Sequence, residues 1–139
     1  MVIQIITIGH KMPDWIKSGF DHYHKKIQMK CKLIEIHPQN QKNITKFLDQ
    51  KVSHIALDSL GKQFKSEHIA EQINIWKMDG INVNFYIGAH DGLPPEVLER
   101  CQKKWSLSNQ TYPHHLIKIM LIEQLYRSEC ILNNHPYHK

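Results

Sequence analysis

The C-terminal third of the chain concentrates the side chains that can move protons or hold anions. His114 and His115 are adjacent, Arg127 follows, and His135-Pro136-Tyr137-His138 comes just before the last residue. An imidazole donates or accepts protons near neutral pH, and a phenol stacks or hydrogen-bonds. A guanidinium grips phosphate or carboxylate with a rigid fork. Of the eighteen cationic residues only Arg100 and Arg127 are arginine, so Arg127 in this region is informative. From composition alone two readings of the tail stay open. It is either a solvated end with incidental histidines or a set for proton transfer and substrate binding. A metal site is not expected, because no carboxylate or cysteine completes a ligand set. A second segment with chemical potential is Gly88-Ala89-His90-Asp91-Gly92. Glycine lets a ligand come close to the backbone. The segment matches neither a dinucleotide fingerprint nor a P-loop. By itself the segment reads first as an ordinary strand-to-helix turn.

These residues must be positioned by alternating strands and helices. Residues 2–8 are β-branched and end at Gly9, which predicts a strand. Pro13 opens a helix over 13–29, with Ile16, Phe20, Tyr23 and Ile27 at helical spacing. Strands are expected at 32–37, 53–58, 82–87 and 105–108, with Ser59-Leu60-Gly61 as a turn. Helices are expected at 41–50, from an Ser66 N-cap to Gly80, from Pro94-Pro95, and at 114–130. The last helix is apolar on most of its surface, which predicts a central position packed on several sides. The pattern reads as α/β, with a mostly parallel sheet flanked by helices. In such sheets ligands sit beyond the C-terminal ends of strands. Three segments qualify: Leu57 to Gly61, Gly88 to Gly92, and Leu107 to Pro113.

The length, 139 residues, fits a single domain spanning 1–139. Composition is 41% hydrophobic and 22% charged, ordinary for a globular protein and unlike disordered or fibrous chains. The C-terminal apolar run Ile119 to Ile122 is bounded by Lys118 and Glu123, so no membrane span is expected. The first residues lack a basic leader, so no signal peptide is expected and the reading is cytoplasmic. The formal net charge of +5 suits an anionic partner such as nucleic acid. Lys11, Lys17, Lys25, Lys26, Lys30 and Lys32 cluster early, with Lys25 and Lys26 expected on the polar side of the first helix. Cys31, Cys101 and Cys130 form no Cys-x-x-Cys pair, which predicts reduced thiols.

Taken together, the motifs resemble the ribosomal RNA large subunit pseudouridine N3-methyltransferase family, a branch of the SPOUT methyltransferases. The matching pieces are Lys11-Met12-Pro13-Asp14-Trp15, Leu57-Asp58 with Gly61-Lys62, Trp76 to Gly80, and Ile87-Gly88. Beyond these come Trp105-Ser106-Leu107-Ser108, Thr111 with Pro113-His114, Leu125-Tyr126-Arg127 and the tail Asn133 to Lys139. The resemblance covers the whole chain. It implies a deep C-terminal trefoil knot, S-adenosylmethionine as cofactor and a homodimer. It further implies methylation of N3 of a pseudouridine in 23S rRNA on assembled ribosomes. Carried over by motif, the cofactor-binding positions are Leu57, Gly88, Leu107, Ser108, Asn109, Gln110, Thr111 and Tyr112. Leu57, Ile87, Leu107 and Leu116 could wall the adenine. Around the methyl acceptor the resemblance points to His114, Arg127, Tyr137 and His138.

Among these four, Arg127 is assigned to a phosphate or a developing anion. His138 is the first choice for proton acceptor, with Tyr137 stacking or hydrogen bonding. His114 either orients the base or simply caps the last helix. The plain alternative for Arg127 is a salt bridge to Glu123 one turn earlier. The chain departs from the family at Ala89-His90-Asp91, where Gly-Pro-Glu is usual, and at Tyr112, where Leu is usual. A positive φ at Ala89 would be strained. Two rival readings remain: another SPOUT enzyme acting on tRNA, and a non-catalytic ribosome-binding module with a degenerate cofactor pocket.

Overall fold

A computed structural model describes residues 1–138. Five strands form one sheet: β1 (Val2–Ile8), β2 (Lys30–Ile36), β3 (Ser53–Gln63), β4 (Val83–Ile87) and β5 (Lys103–Ser106). Their order is β2-β1-β4-β3-β5, and every neighbouring pair is parallel. The helices are α1 (Asp14–His24), α2 (Thr45–Leu48), α3 (Ser66–Asp79), α4 (Pro95–Arg100) and α5 (His114–Leu132). A 3₁₀ segment, Pro38–Ile44, precedes α2.

Alternation along each strand sends its side chains to two separate cores. Ile3, Ile5, Ile55, Phe85 and Trp105 pack with α1, α3 and α5. Ile6, Ile8, Ala56 and Tyr86 pack with Ile44, Phe47 and Leu48 and with Val97 of α4. The result is helix, sheet, helix, with the three long helices on one face. On that face four aromatic rings interlock. Trp76 and Trp105 stack at 5.7 Å, with Phe64 at 5.1 Å and Phe85 at 5.5 Å from Trp105.

α5 holds the layer together. Leu121, Ile122 and Leu125 are buried, and the helix packs on both α1 and α3. Gly19 makes the α1 approach feasible, since a Cβ there would meet Ile119 Cδ1 at 2.8 Å. Glu129 accepts hydrogen bonds from the backbone N–H groups of Gln28 and Met29, at 2.8 and 2.9 Å. These bonds tie the α1–β2 connection to the end of α5.

Several expectations need correction. α1 stops at His24, so Lys25 and Lys26 lie in the loop after it rather than on a helix face. Residues 41–50 form 3₁₀ structure and one short α-turn, not one helix. Ser66 is the first residue of α3, not its cap, and its hydroxyl donates to Gln124 Oε1 at 2.8 Å. β3 does not end at Asp58. Leu57 and Lys62 both face Trp105 across the ladder, so Asp58 to Gly61 bulge out inside one strand. Gly61 is required there, because a Cβ would meet the Lys104 backbone at 2.6 Å. The last helix runs two residues further than expected, to Leu132.

Trp105 touches both the aromatic cluster and the site described below. Trp105→Ala should destabilise the protein by about 3 to 5 kcal/mol through the cavity left behind, read as a lowered urea midpoint with an unchanged slope.

Candidate active site

Three chain segments converge beyond the C-terminal ends of β3, β4 and β5. They enclose a cavity of about 340 Å³. One wall is the β3 bulge, with Leu57, Asp58 and Ser59. The second is the loop from Gly88 to Gly92. The third is the stretch Ser106–Ser108 and Gln110–Tyr112, closed below by His114 and Ile117 of α5. Apolar walls from Leu57, Ile87, Leu107 and Ile117 alternate with hydroxyls and backbone groups. This mix suits a small molecule with an apolar body and a few polar edges.

Gly88 is the closest approach in this wall. A Cβ on it would press into the backbone of Gly92 and Leu93. The loop folds back on itself through an antiparallel bridge between Ala89 and Gly92, with the Gly92 N–H donating to Ala89 O at 2.9 Å. Gly92 carries the positive φ, +85°, and Ala89 does not. The strain anticipated at Ala89 is therefore absent. His90 and Asp91 are exposed on the rim.

Of the eight expected cofactor positions, Leu57, Gly88, Leu107, Ser108, Gln110, Thr111 and Tyr112 line this cavity. Asn109 does not. It is turned outward, where its Oδ1 accepts from Gln63 Nε2 at 2.5 Å. Leu116, expected as a wall, packs against the main core instead, and Ile117 takes that place. The third wall is internally braced. The Gln110 N–H donates to Ser108 Oγ at 3.0 Å, and the Tyr112 hydroxyl donates to Gln110 Oε1 at 2.9 Å. Sequence reading missed Asp58, Ser59 and Trp105 as cavity residues. The signal was the strand-end segment itself, but the bulge that turns it inward depends on pairing with β5.

The four acceptor-side candidates fall into two groups. His114 lies on the cavity wall at the start of α5. Its ring lies tilted against that of His115, at 42° with centroids 4.1 Å apart. Partial burial, then the nearby Lys118 ammonium, hold both imidazoles below the ordinary histidine range. Arg127 lies on the same helix thirteen residues later, about 20 Å along its axis at 1.5 Å per residue. There it meets the tail. α5 ends with Asn134 in the left-handed conformation, φ 56°, and the His135 N–H donates to Cys130 O at 2.8 Å. Asn134 tolerates that turn as few residues do. The chain reverses and lays Tyr137 and His138 back on the helix.

Arg127 Nε donates to Glu123 at 2.7 Å, the salt bridge foreseen as the plain alternative. Its carbon Cζ also sits 4.7 Å from the centre of the Tyr137 ring. Its Nη1 donates to His138 Nδ1 at 3.1 Å, because a guanidinium can only donate. His138 then carries its proton on Nε2 and gives it to Glu67 Oε1 at 2.6 Å. Tyr137 is half-buried, and desolvation together with Glu123 pushes its phenol up to about 12. It stays a neutral donor. The tail is thus an assembled network rather than a solvated end. Both nitrogens of His138 are engaged, so it accepts a proton only by giving up its bond from Arg127.

Among the described residues, no group of three or more His, Cys, Asp or Glu side chains is placed to hold a metal ion. No helix among the described residues is long and apolar enough to cross a membrane. All three cysteines are free.

Residues 1–138 match the family model described as "Predicted SPOUT methyltransferase". The ribosomal RNA large subunit methyltransferase H of Saccharophagus degradans is 40% identical to this chain, with both proteins covered in full. The protein of the same name from Legionella pneumophila strain Paris is 42% identical, over 99% of this chain and 98% of its own. Among solved structures, a methylase family protein of Haemophilus influenzae superposes with a TM-score of 0.64 at 13% identity, covering 99% of this chain and 70% of its own. A Legionella pneumophila methyltransferase solved with bound SAM superposes with a TM-score of 0.52 at 10% identity, covering 92% of this chain and 66% of its own.

The depressed histidine pair makes stability depend on pH. Unfolded, each imidazole titrates at the ordinary value of 6.5, and folded it titrates lower. Below 6.5 the unfolded chain binds more protons, so stability falls with acidification until the folded pair also protonates. The urea midpoint should therefore be lower at about pH 5.5 than at about pH 7.5. Replacing His114 and His115 together by Gln should flatten this difference.

Proposed function

Because the chain belongs to the SPOUT methyltransferase family, in the branch of ribosomal RNA large subunit methyltransferase H, we propose that it methylates N3 of a pseudouridine in 23S rRNA of assembled ribosomes. The observation that carries this reading is the cleft. Three strand-end segments meet around Gly88, whose missing Cβ lets the Gly88–Gly92 loop fold tightly back on itself and shape the cavity wall. Its size and its alternation of apolar wall and polar edge fit S-adenosylmethionine. Leu57, Gly88, Leu107, Ser108, Gln110, Thr111 and Tyr112 would hold it. Asn109 belongs to the same segment and would act from outside the cavity, by bracing the loop through Gln63. Bound there, the cofactor supplies an electrophilic methyl group on a sulfonium.

The protein's own share is placement and proton handling. Holding the acceptor in line with the methyl removes the entropy of encounter. The acceptor N3–H is a weakly acidic imide, and its proton must leave as the N–CH₃ bond forms. His114 stands on the cleft wall where it can orient the base. Arg127, Tyr137 and His138 form the acceptor-side group that binds phosphate and positions the base. The exposed lysines Lys11, Lys17, Lys30 and Lys32 add a diffuse attraction for RNA phosphates.

The 20 Å separation between His114 and the tail supports the homodimer as the working unit. One protomer's cleft would be completed by its partner's tail. The trefoil knot, the cytoplasmic location and a single domain over the whole chain are parts of the same reading.

Two experiments test it. Label from S-adenosylmethionine should enter one 23S rRNA site of ribosomes lacking the modification, and Gly88→Val should abolish both that transfer and cofactor binding by calorimetry. Labelling of bulk tRNA instead would favour the tRNA enzyme, and no cofactor binding at all would favour the non-catalytic module. For the dimer, co-expressed Gly88→Val and Arg127→Ala chains should regain about a quarter of the wild-type rate, because half the dimers are mixed and each has one intact site. Recovery of no activity would leave each protomer working alone.

A further inference from the structure

Lys118 is the one charged side chain of the described chain that is almost wholly buried, 1% exposed. It lies one turn inside α5, below His114 and His115. Among the described residues it forms no ion pair. Its hydrogen-bond partner is His115, with Nζ 3.2 Å from Nδ1. A buried lysine without a carboxylate partner costs stability, and nothing in the cleft's packing demands it. A leucine or methionine would fill the same space.

We propose that Lys118 is a positioning residue: it fixes the tautomer of His115 and sets a positive charge one helical turn from the cleft-wall imidazole of His114. This rests on the reading of the cleft as the methyl-transfer site. An ammonium group has only protons to give, so His115 Nδ1 accepts and its own proton sits on Nε2. That tautomer sets the polarity of the ring whose centroid lies 4.1 Å from that of His114. A positive charge on His114 would then face Lys118 from the same helix, His90 from the Gly88–Gly92 loop and His10 from the end of β1. His37 at the end of β2 meets His10 edge-on at 5.3 Å. Only Glu35 of β2 works the other way, by favouring the Lys118 ammonium. Burial and these neighbours both hold His114 below the ordinary range.

The chemistry needs such a residue. As the bond from N3 to the methyl carbon forms, the carbon–sulfur bond breaks and its electron pair returns to sulfur. The N3 proton must go to a group with a free lone pair. A neutral His114 has one, and a protonated His114 does not. Lys118 does not itself line the cavity, so it acts through the histidine pair.

The test is an NMR titration of the His114 ring in the full-length protein, wild type against Lys118→Met and Lys118→Arg. The Met variant should raise the His114 midpoint by about half a unit, while the Arg variant keeps the charge and stays near wild type. The acid limb of the methylation rate should move with it, lowering the rate in the Met variant by up to about threefold at pH values well below the His114 midpoint and leaving it unchanged well above. Lys118→Gln serves as a second neutral variant should Met disturb the helix. An unchanged midpoint in a folded neutral variant overturns the proposal, and so does an equal rise in Met and Arg. Because the titration needs neither RNA nor cofactor, a lack of methyl transfer would strike the functional reading and leave this one still decided by NMR.

Discussion

Burial of α5 against both α1 and α3 is the contact on which the site depends. Leu121, Ile122 and Leu125 are 2% exposed or less. Each contributes on the order of 1.5 to 3 kcal/mol by leaving water. That packing fixes the helix in two respects at once. Its first turn is pinned to the cleft, so His114 and Ile117 become cavity wall. Its last turns are pinned to the α1–β2 connection through Glu129. A helix held at both ends positions groups more accurately than a loop. The same rigidity explains why the two groups of functional side chains cannot approach each other within a protomer. They ride on one straight rod, and the rod cannot bend to join them.

Much of the fold is legible in the sequence because it is set locally. Five β-branched or apolar runs ending at Gly, Pro or polar loops give five strands. The parallel arrangement follows from the helices between them. The apolar surface of 114–130 announces a central helix. What is not legible is set by pairing across the sheet. Residues 58–61 carry ordinary turn chemistry, and they become a bulge only because Leu57 and Lys62 both find Trp105. Ser66 has the right type for a cap, yet Gln124 on α5 captures its hydroxyl. Asn40, whose φ of −107° leaves the helical region, kinks the 3₁₀ segment that precedes α2.

The cleft residues were legible to a different degree from the tail. Seven of the eight cofactor positions named by motif line one cavity, because strand-end segments in a parallel sheet share one edge. Asn109 is the exception, since its loop turns its side chain toward Gln63. The tail order could not be read from composition. It arises from a left-handed Asn134 and from partners on α3 and α5 that are far away in sequence. The departure at Ala89 is harmless for a related reason. The turn places its positive φ on Gly92, so the position that lost its glycine never needed one.

The two ends of α5 treat charge in opposite ways. At the tail Arg127 is held by Glu123 and His138, and His138 by Glu67. An incoming anion must therefore compete for Arg127 with a partly buried carboxylate. That competition selects ligands that deliver a phosphate in the geometry of the guanidinium fork rather than any diffuse negative surface. At the cleft, among the described residues, no carboxylate forms an ion pair with Lys118, which is hydrogen-bonded to the His115 imidazole, and Glu35 on β2 favours its ammonium only from a distance. Pairing Lys118 with an acid would stabilise the fold, but it would also cancel the field that disfavours a proton on His114. The chain keeps the less stable arrangement at the cleft end of α5 and the satisfied one at the tail.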